Sequence, residues 1–221
     1  VAEHHDGYSM WDSKHTPWNS VNTGPKRDIV GEMEKAIRKR KMKFVTTFHH
    51  ARVGRSPDGA ELRQMREWYY YGRSKYYQRK DPDHVDSLDV QRLYGTMQWE
   101  DFLEMWNAKL EEVIDQYHPD IIWFDSWLHR IPESNLQRFA AYYLNAAAER
   151  DQEVVITYKQ EDMPQNVGVV DFEKGRMDEL TDYTWLTDDT ISAGQWTTTG
   201  SWSYTEELDI CLLYTSDAAD D

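Results

Sequence analysis

Ile121-Ile122-Trp123-Phe124 is an unbroken run of β-branched and aromatic residues set between two aspartates, Asp120 and Asp125. So short an apolar run does not make a helix; it reads as a strand buried on both faces, the kind found in parallel sheets. Parallel β/α folds keep their reactive groups at the C-terminal ends of the strands. Asp125 therefore has the placement of a reactive carboxylate, or equally that of an N-cap for a following helix.

The rest of the chain repeats the same alternation. Asp28 is a good N-cap, and Ile29, Met33, Ala36 and Ile37 follow at helical spacing, with Lys35 to Lys43 crowding the C-terminal end as a solvated basic face. Lys43 to Phe48 predicts a second strand, closing on His49 and His50. Ala51 to about Leu93 is too long for an ordinary connection, and Trp68-Tyr69-Tyr70-Tyr71 within it suggests a partly ordered loop on the substrate side. Phe102, Met105, Trp106, Leu110, Val113, Ile114 and Tyr117 trace one helical face that stops at His118-Pro119. Pro132 opens another helix, and Val154 to Tyr158 is a further strand. Beyond Tyr158 the pattern reads as loop, with Trp185, Trp196 and Trp202 in its tail. Strand, helix, strand, each strand ending on polar residues, predicts an α/β fold with a parallel sheet.

The first residues, Val1-Ala2-Glu3-His4-His5-Asp6-Gly7, read as a strand end turning at Asp6-Gly7. Adjacent histidines on a regular strand point to opposite faces, so only a strand end or bulge lets both approach one ligand.

Charge narrows the partners. Forty acidic against 25 basic residues give a net charge of -15, which argues against nucleic acid or an anionic membrane and favours a neutral ligand. No stretch is long and apolar enough for a membrane helix, and no signal segment is visible. Ten Trp and 14 Tyr supply the aromatic faces on which sugars stack, although aromatics also fill cores. The ends are expected to be non-native boundaries: Val1 enters in mid-strand, and Cys211 to Asp221 resemble translated sequencing adapter. On that reading residues 1–210 are the native segment, 211–221 are a foreign tail, and the one cysteine lies in the tail.

Three segments in register then resemble one family. Glu3-His4-His5-Asp6-Gly7 with Met10-Trp11-Asp12-Ser13, Gly24-Pro25-Lys26-Arg27-Asp28-Ile29-Val30-Gly31-Glu32, and Asp120 to Trp127 are similar, in order and spacing, to signatures of the family 29 glycoside hydrolases, the retaining α-L-fucosidases. The resemblance covers nearly all of residues 1–210. It implies a partial (β/α)8 TIM-like barrel, truncated at both ends, with no cofactor and no metal. It implies a fucosylated oligosaccharide or glycoprotein glycan as partner, and a secreted, periplasmic or lysosomal location. Asp125 matches the family nucleophile; His4 and His5 match histidines that grip the fucose hydroxyls. The resemblance also implies substrate-binding roles for Trp11, within the first signature, for Trp123, which matches a position lining the sugar pocket, and for His49 and His50, which fall at another strand end lining the site.

The chemistry of a retaining glycosidase requires two carboxyl groups about 5–5.5 Å apart, one attacking the anomeric carbon and one protonating the departing oxygen. The nucleophile must be ionised, and the acid must keep its proton near neutral pH. Neutral histidine suits hydroxyl recognition because one ring nitrogen donates and the other accepts. For the acid/base the local match is Val169-Val170-Asp171-Phe172-Glu173-Lys174-Gly175-Arg176, which favours Glu173, with Asp171 and Glu161 as alternates. Glu173 also reads as a solvated loop glutamate bridging Lys174 or Arg176, and a different alignment of Asp171-Phe172 puts Arg176 at the acid position.

Two rival readings remain on the sequence alone. A sugar-binding protein on a degenerate barrel is one. A metal-dependent barrel hydrolase is the other; His-His is poor ligand spacing on a strand, and no His-x-His or His-x-x-x-His is present.

Overall fold

The computed structural model describes residues 1–54, 87–94, 97–125, 128–160, 162–175 and 177–189. It divides into two compact units, Val1–Val170 and Asp171–Asp221.

In the first unit, β1 (Val45–Phe48), β2 (Ile121–Phe124) and β3 (Val155–Lys159) lie side by side in parallel. Val45 to Phe48 align with Ile121 to Phe124, and Ile121 to Trp123 with Val155 to Thr157. The first residues run beside β1: Ala2 N–H donates to the Thr47 carbonyl, His49 N–H donates to the Glu3 carbonyl, and Glu3 forms a parallel bridge with Phe48. The segment is thus a strand end, as the sequence suggested, held by a bridge and reversed at once by Asp6-Gly7. Gly7 sits at φ +75° with its α-carbon against the Leu93 carbonyl, where a β-carbon would collide.

The helices follow their local signals. α1 (Ile29–Lys39) is capped by Asp28, whose Oδ1 accepts from Gly31 N–H at 2.9 Å. α2 (Leu88–Tyr94) ends the stretch that reads as loop; Trp68 to Tyr71 lie outside the described residues. α3 (Trp99–Tyr117) and α4 (Glu133–Glu149) cover the sheet, and Pro132 opens α4 as expected.

The core lies between these helices and one face of the sheet. Phe48, Ile122 and Phe124 are buried there, meeting Trp106 of α3 and Phe139 of α4; the Phe124 ring lies 6.1 Å from Trp106 and 5.1 Å from Phe139. Burying one such phenyl ring contributes about 1.5–3 kcal/mol. The opposite face is less enclosed: Ile121 and Trp123 are half-buried, so β2 is not sealed on both faces as expected. β1 to β3 are thus the parallel α/β sheet expected of a partial barrel.

β4 (Val169–Glu173) starts in the first unit, where Gly168 lies against the Ile156 carbonyl, and ends in the second. Within the second unit, Lys174 N–H donates to the Asp188 carbonyl and Thr187 Oγ1 to that of Phe172, joining β4 to β5 (Trp185–Asp188). These two strands replace the loop expected after Tyr158. Main-chain bonding between them sets their conformation, and their side-chain pattern is too mixed to announce it. Trp196, Trp202 and the segment 211–221 lie outside the described residues.

Candidate active site

Strand β2 carries an aspartate at each end, and the two do different work. Asp120, at the N-terminal end, is buried and ties the sheet to its surroundings. Its Oδ2 accepts from Phe44 N–H at 2.7 Å and from Arg38 at 3.1 Å, and Gln152 donates to Oδ1 at 3.3 Å. Burial alone would raise its pKa, but those donors, with Lys43, outweigh it and hold the carboxyl below its usual 3.8.

Asp125, at the C-terminal end, sits beside β1. Its N–H donates to the Phe48 carbonyl, and its Oδ2 lies 2.8 Å from Nδ1 of His49, both groups being partly open to solvent. Three residues further on, Leu128 N–H donates to Asp162 Oδ2 at 3.1 Å.

His49 draws in the first histidine pair. The His4 ring lies 3.8 Å from His5 and 4.3 Å from His49, centroid to centroid, and His5 is 6.2 Å from His49. Strand alternation does not separate His4 from His5, because the pair lies at a strand end, as read from the sequence, and enters the turn His4 to Gly7, closed by Gly7 N–H to the His4 carbonyl. Trp123 borders the group, its ring 5.7 Å from His49, with the ammonium of Lys159 5.1 Å above its ring.

Two residues grouped with these by sequence lie elsewhere. His50 turns inward at the start of a short 3-10 turn (His50–Arg52), stacks 5.4 Å from Trp106 and bonds the Trp106 carbonyl through Nε2. Burial pushes its pKa down to about 4, so it stays neutral. Trp11 is wholly buried, its Nε1–H donating to Glu112 Oε2 at 2.8 Å and its ring edge-on to Phe48.

Glu173 is exposed at the end of β4 in the second unit, where the Lys174 ammonium lies 3.9 Å from Asp189 Oδ1. Asp171 is buried; Glu161 and Arg176 lie outside the described residues.

Sequence reasoning missed the support under the histidines. Lys109 and Glu3 are both buried, and the ammonium lies 2.9 Å from each Glu3 carboxylate oxygen; Ser9 Oγ donates to the same carboxylate. A signal was available: Lys109 falls on the apolar face of α3, at helical spacing from Phe102, Met105, Trp106 and Val113.

A parallel β/α sheet with a carboxylate and several imidazoles gathered at the C-terminal ends of its strands is the arrangement of a β/α-barrel protein with its polar site at that face. The family model for α-L-fucosidases matches residues 1–211, and the chain belongs to that family. Rat tissue α-L-fucosidase is 29% identical over 161 residues, covering 70% of this chain and 28% of the rat protein. The human tissue enzyme is 26% identical over 159 residues, covering 70% and 27%. The chain thus spans under a third of these relatives. Among solved structures, the family 29 α-L-fucosidase of Bacteroides thetaiotaomicron has a TM-score of 0.56 at 18% identity, covering 95% of this chain and 46% of that one, which shows a shared fold. No helix among the described residues is long and apolar enough to cross a membrane.

Proposed function

We propose that this chain carries the nucleophile side of a retaining exo-α-L-fucosidase acting on fucosylated oligosaccharides or glycoprotein glycans outside the cytosol. The observation that carries the reading is the Asp125 carboxylate at the C-terminal end of β2, 2.8 Å from His49 Nδ1 and beside the His4-His5 turn. In this mechanism an Asp125 oxygen attacks the anomeric carbon while the glycosidic bond breaks, and the leaving oxygen takes its proton from Glu173. Water, deprotonated by the same Glu173, then cleaves the glycosyl ester and restores Asp125. His4, His5 and His49 supply donors and acceptors for the sugar hydroxyls, and Trp123 supplies an apolar face.

The test is hydrolysis of 4-nitrophenyl α-L-fucoside by the full-length protein carrying these residues, with and without azide. Asp125→Ala should lose turnover and form β-fucosyl azide when azide is added; Glu173→Ala should lose about 10²- to 10⁴-fold on poor leaving groups and form the α-azide. An unaffected Glu173→Ala variant would redirect the acid role to Asp171 or Glu161. A parent that binds fucose yet leaves the fucoside intact would favour the sugar-binding reading. The chain alone spans under a third of its relatives, and by itself it is expected to be inactive.

A further inference from the structure

The histidines that the turn brings together also make a ligand set. One ring nitrogen from each of His4, His5 and His49 lies within 4.8 Å of the others. Zinc–imidazole bonds of about 2.0–2.1 Å put tetrahedral ligand atoms about 3.4 Å apart, and small side-chain rotations close that gap. The second observation is the carboxylate behind the cluster. Asp125 Oδ2 lies 2.8 Å from His49 Nδ1, which fixes the tautomer with its lone pair on Nε2. A carboxylate holding the far ring nitrogen is the arrangement that orients and strengthens a metal-binding histidine. Its negative charge also favours a cation at this spot.

We propose that His4, His5 and His49 form a site for a borderline divalent transition metal such as Zn²⁺ or Co²⁺. Three imidazoles suit these ions, whereas Mg²⁺ and Ca²⁺ require oxygen ligands. The bound metal takes up the ring nitrogens that would otherwise meet sugar hydroxyls, and it is therefore a competitive inhibitor rather than a cofactor. That consequence rests on the fucosidase reading; the binding does not.

The experiment is a Co²⁺ titration of the full-length protein carrying these residues, without substrate, followed by visible absorption. The expected result is a one-to-one tetrahedral band that Zn²⁺ bleaches by displacement. His5→Ala and His49→Ala should each abolish it, Asp125→Asn should weaken binding about 10- to 100-fold, and His129→Ala should leave it intact. Circular dichroism on every variant separates lost ligands from lost fold, and His4→Ala replaces any variant that fails to fold. No band in the wild type, or a band unchanged in both His5→Ala and His49→Ala, would overturn the site. Zinc inhibition of fucoside hydrolysis is then read separately, as a raised apparent KM with kcat unchanged. A bound metal that leaves KM unmoved would overturn the inhibitory role.

Discussion

The ammonium of Lys109, in the middle of α3, lies 2.9 Å from both carboxylate oxygens of Glu3, and neither side chain reaches solvent. Glu3 precedes His4 and His5, and its carbonyl accepts the N–H of His49. The pair thus anchors, from below, the backbone that presents all three histidines. Taking out one partner leaves an uncompensated buried charge, so Lys109→Met should cost about 3–5 kcal/mol in urea denaturation. The double variant Glu3→Leu with Lys109→Met should recover part of that loss, because no buried charge remains.

His49 is expected to act on turnover. Its ring nitrogen 2.8 Å from Asp125 is a charge-assisted contact, and such hydrogen bonds contribute about 1.5–3 kcal/mol. His49→Ala should lower kcat/KM on an aryl α-L-fucoside about 10- to 100-fold, with little change in urea midpoint. A value equal to wild type would remove His49 from the site.

Trp11 separates a structural role from a binding one. It is buried, with Nε1–H on Glu112 Oε2, and Lys14 N–H donates to the other oxygen of that carboxylate. Trp11→Phe deprives a buried carboxylate of one donor and should cost about 1.5–3 kcal/mol of stability. KM for the fucoside should stay at the wild-type value. A raised KM with unchanged stability would return Trp11 to the sugar pocket.

Asp120 sets an acid limit on stability. Its pKa is held below the usual 3.8 in the folded state, so its ionised form is favoured by folding. The stability it contributes is therefore fully present above the unfolded-state value and is lost as pH falls through the lower folded-state value. Asp120→Asn should be less stable than wild type at pH 7, and the difference should shrink below about pH 4. Urea midpoints of both proteins across pH 3 to 7 measure this.

Much of the local structure was legible from the residues alone. The apolar run Ile121 to Phe124 is a strand, Asp28 caps α1, Pro132 opens α4, and Asp125 follows the C-terminal end of β2, because each depends on neighbours within a turn or a strand length. What joins those pieces was not local. His49 reaches Asp125 through the parallel register that sets Phe48 opposite Phe124. His4 and His5 meet it because a turn overrides strand alternation, while His50, one residue further on, is drawn into the core against Trp106. Lys109 is buried because Glu3, distant in sequence, supplies its counter-charge. Sequence thus determined the elements and their ends through short-range periodicity and capping. The tertiary structure decided which polar side chains share a site, since that depends on strand register and on charges paired across the fold.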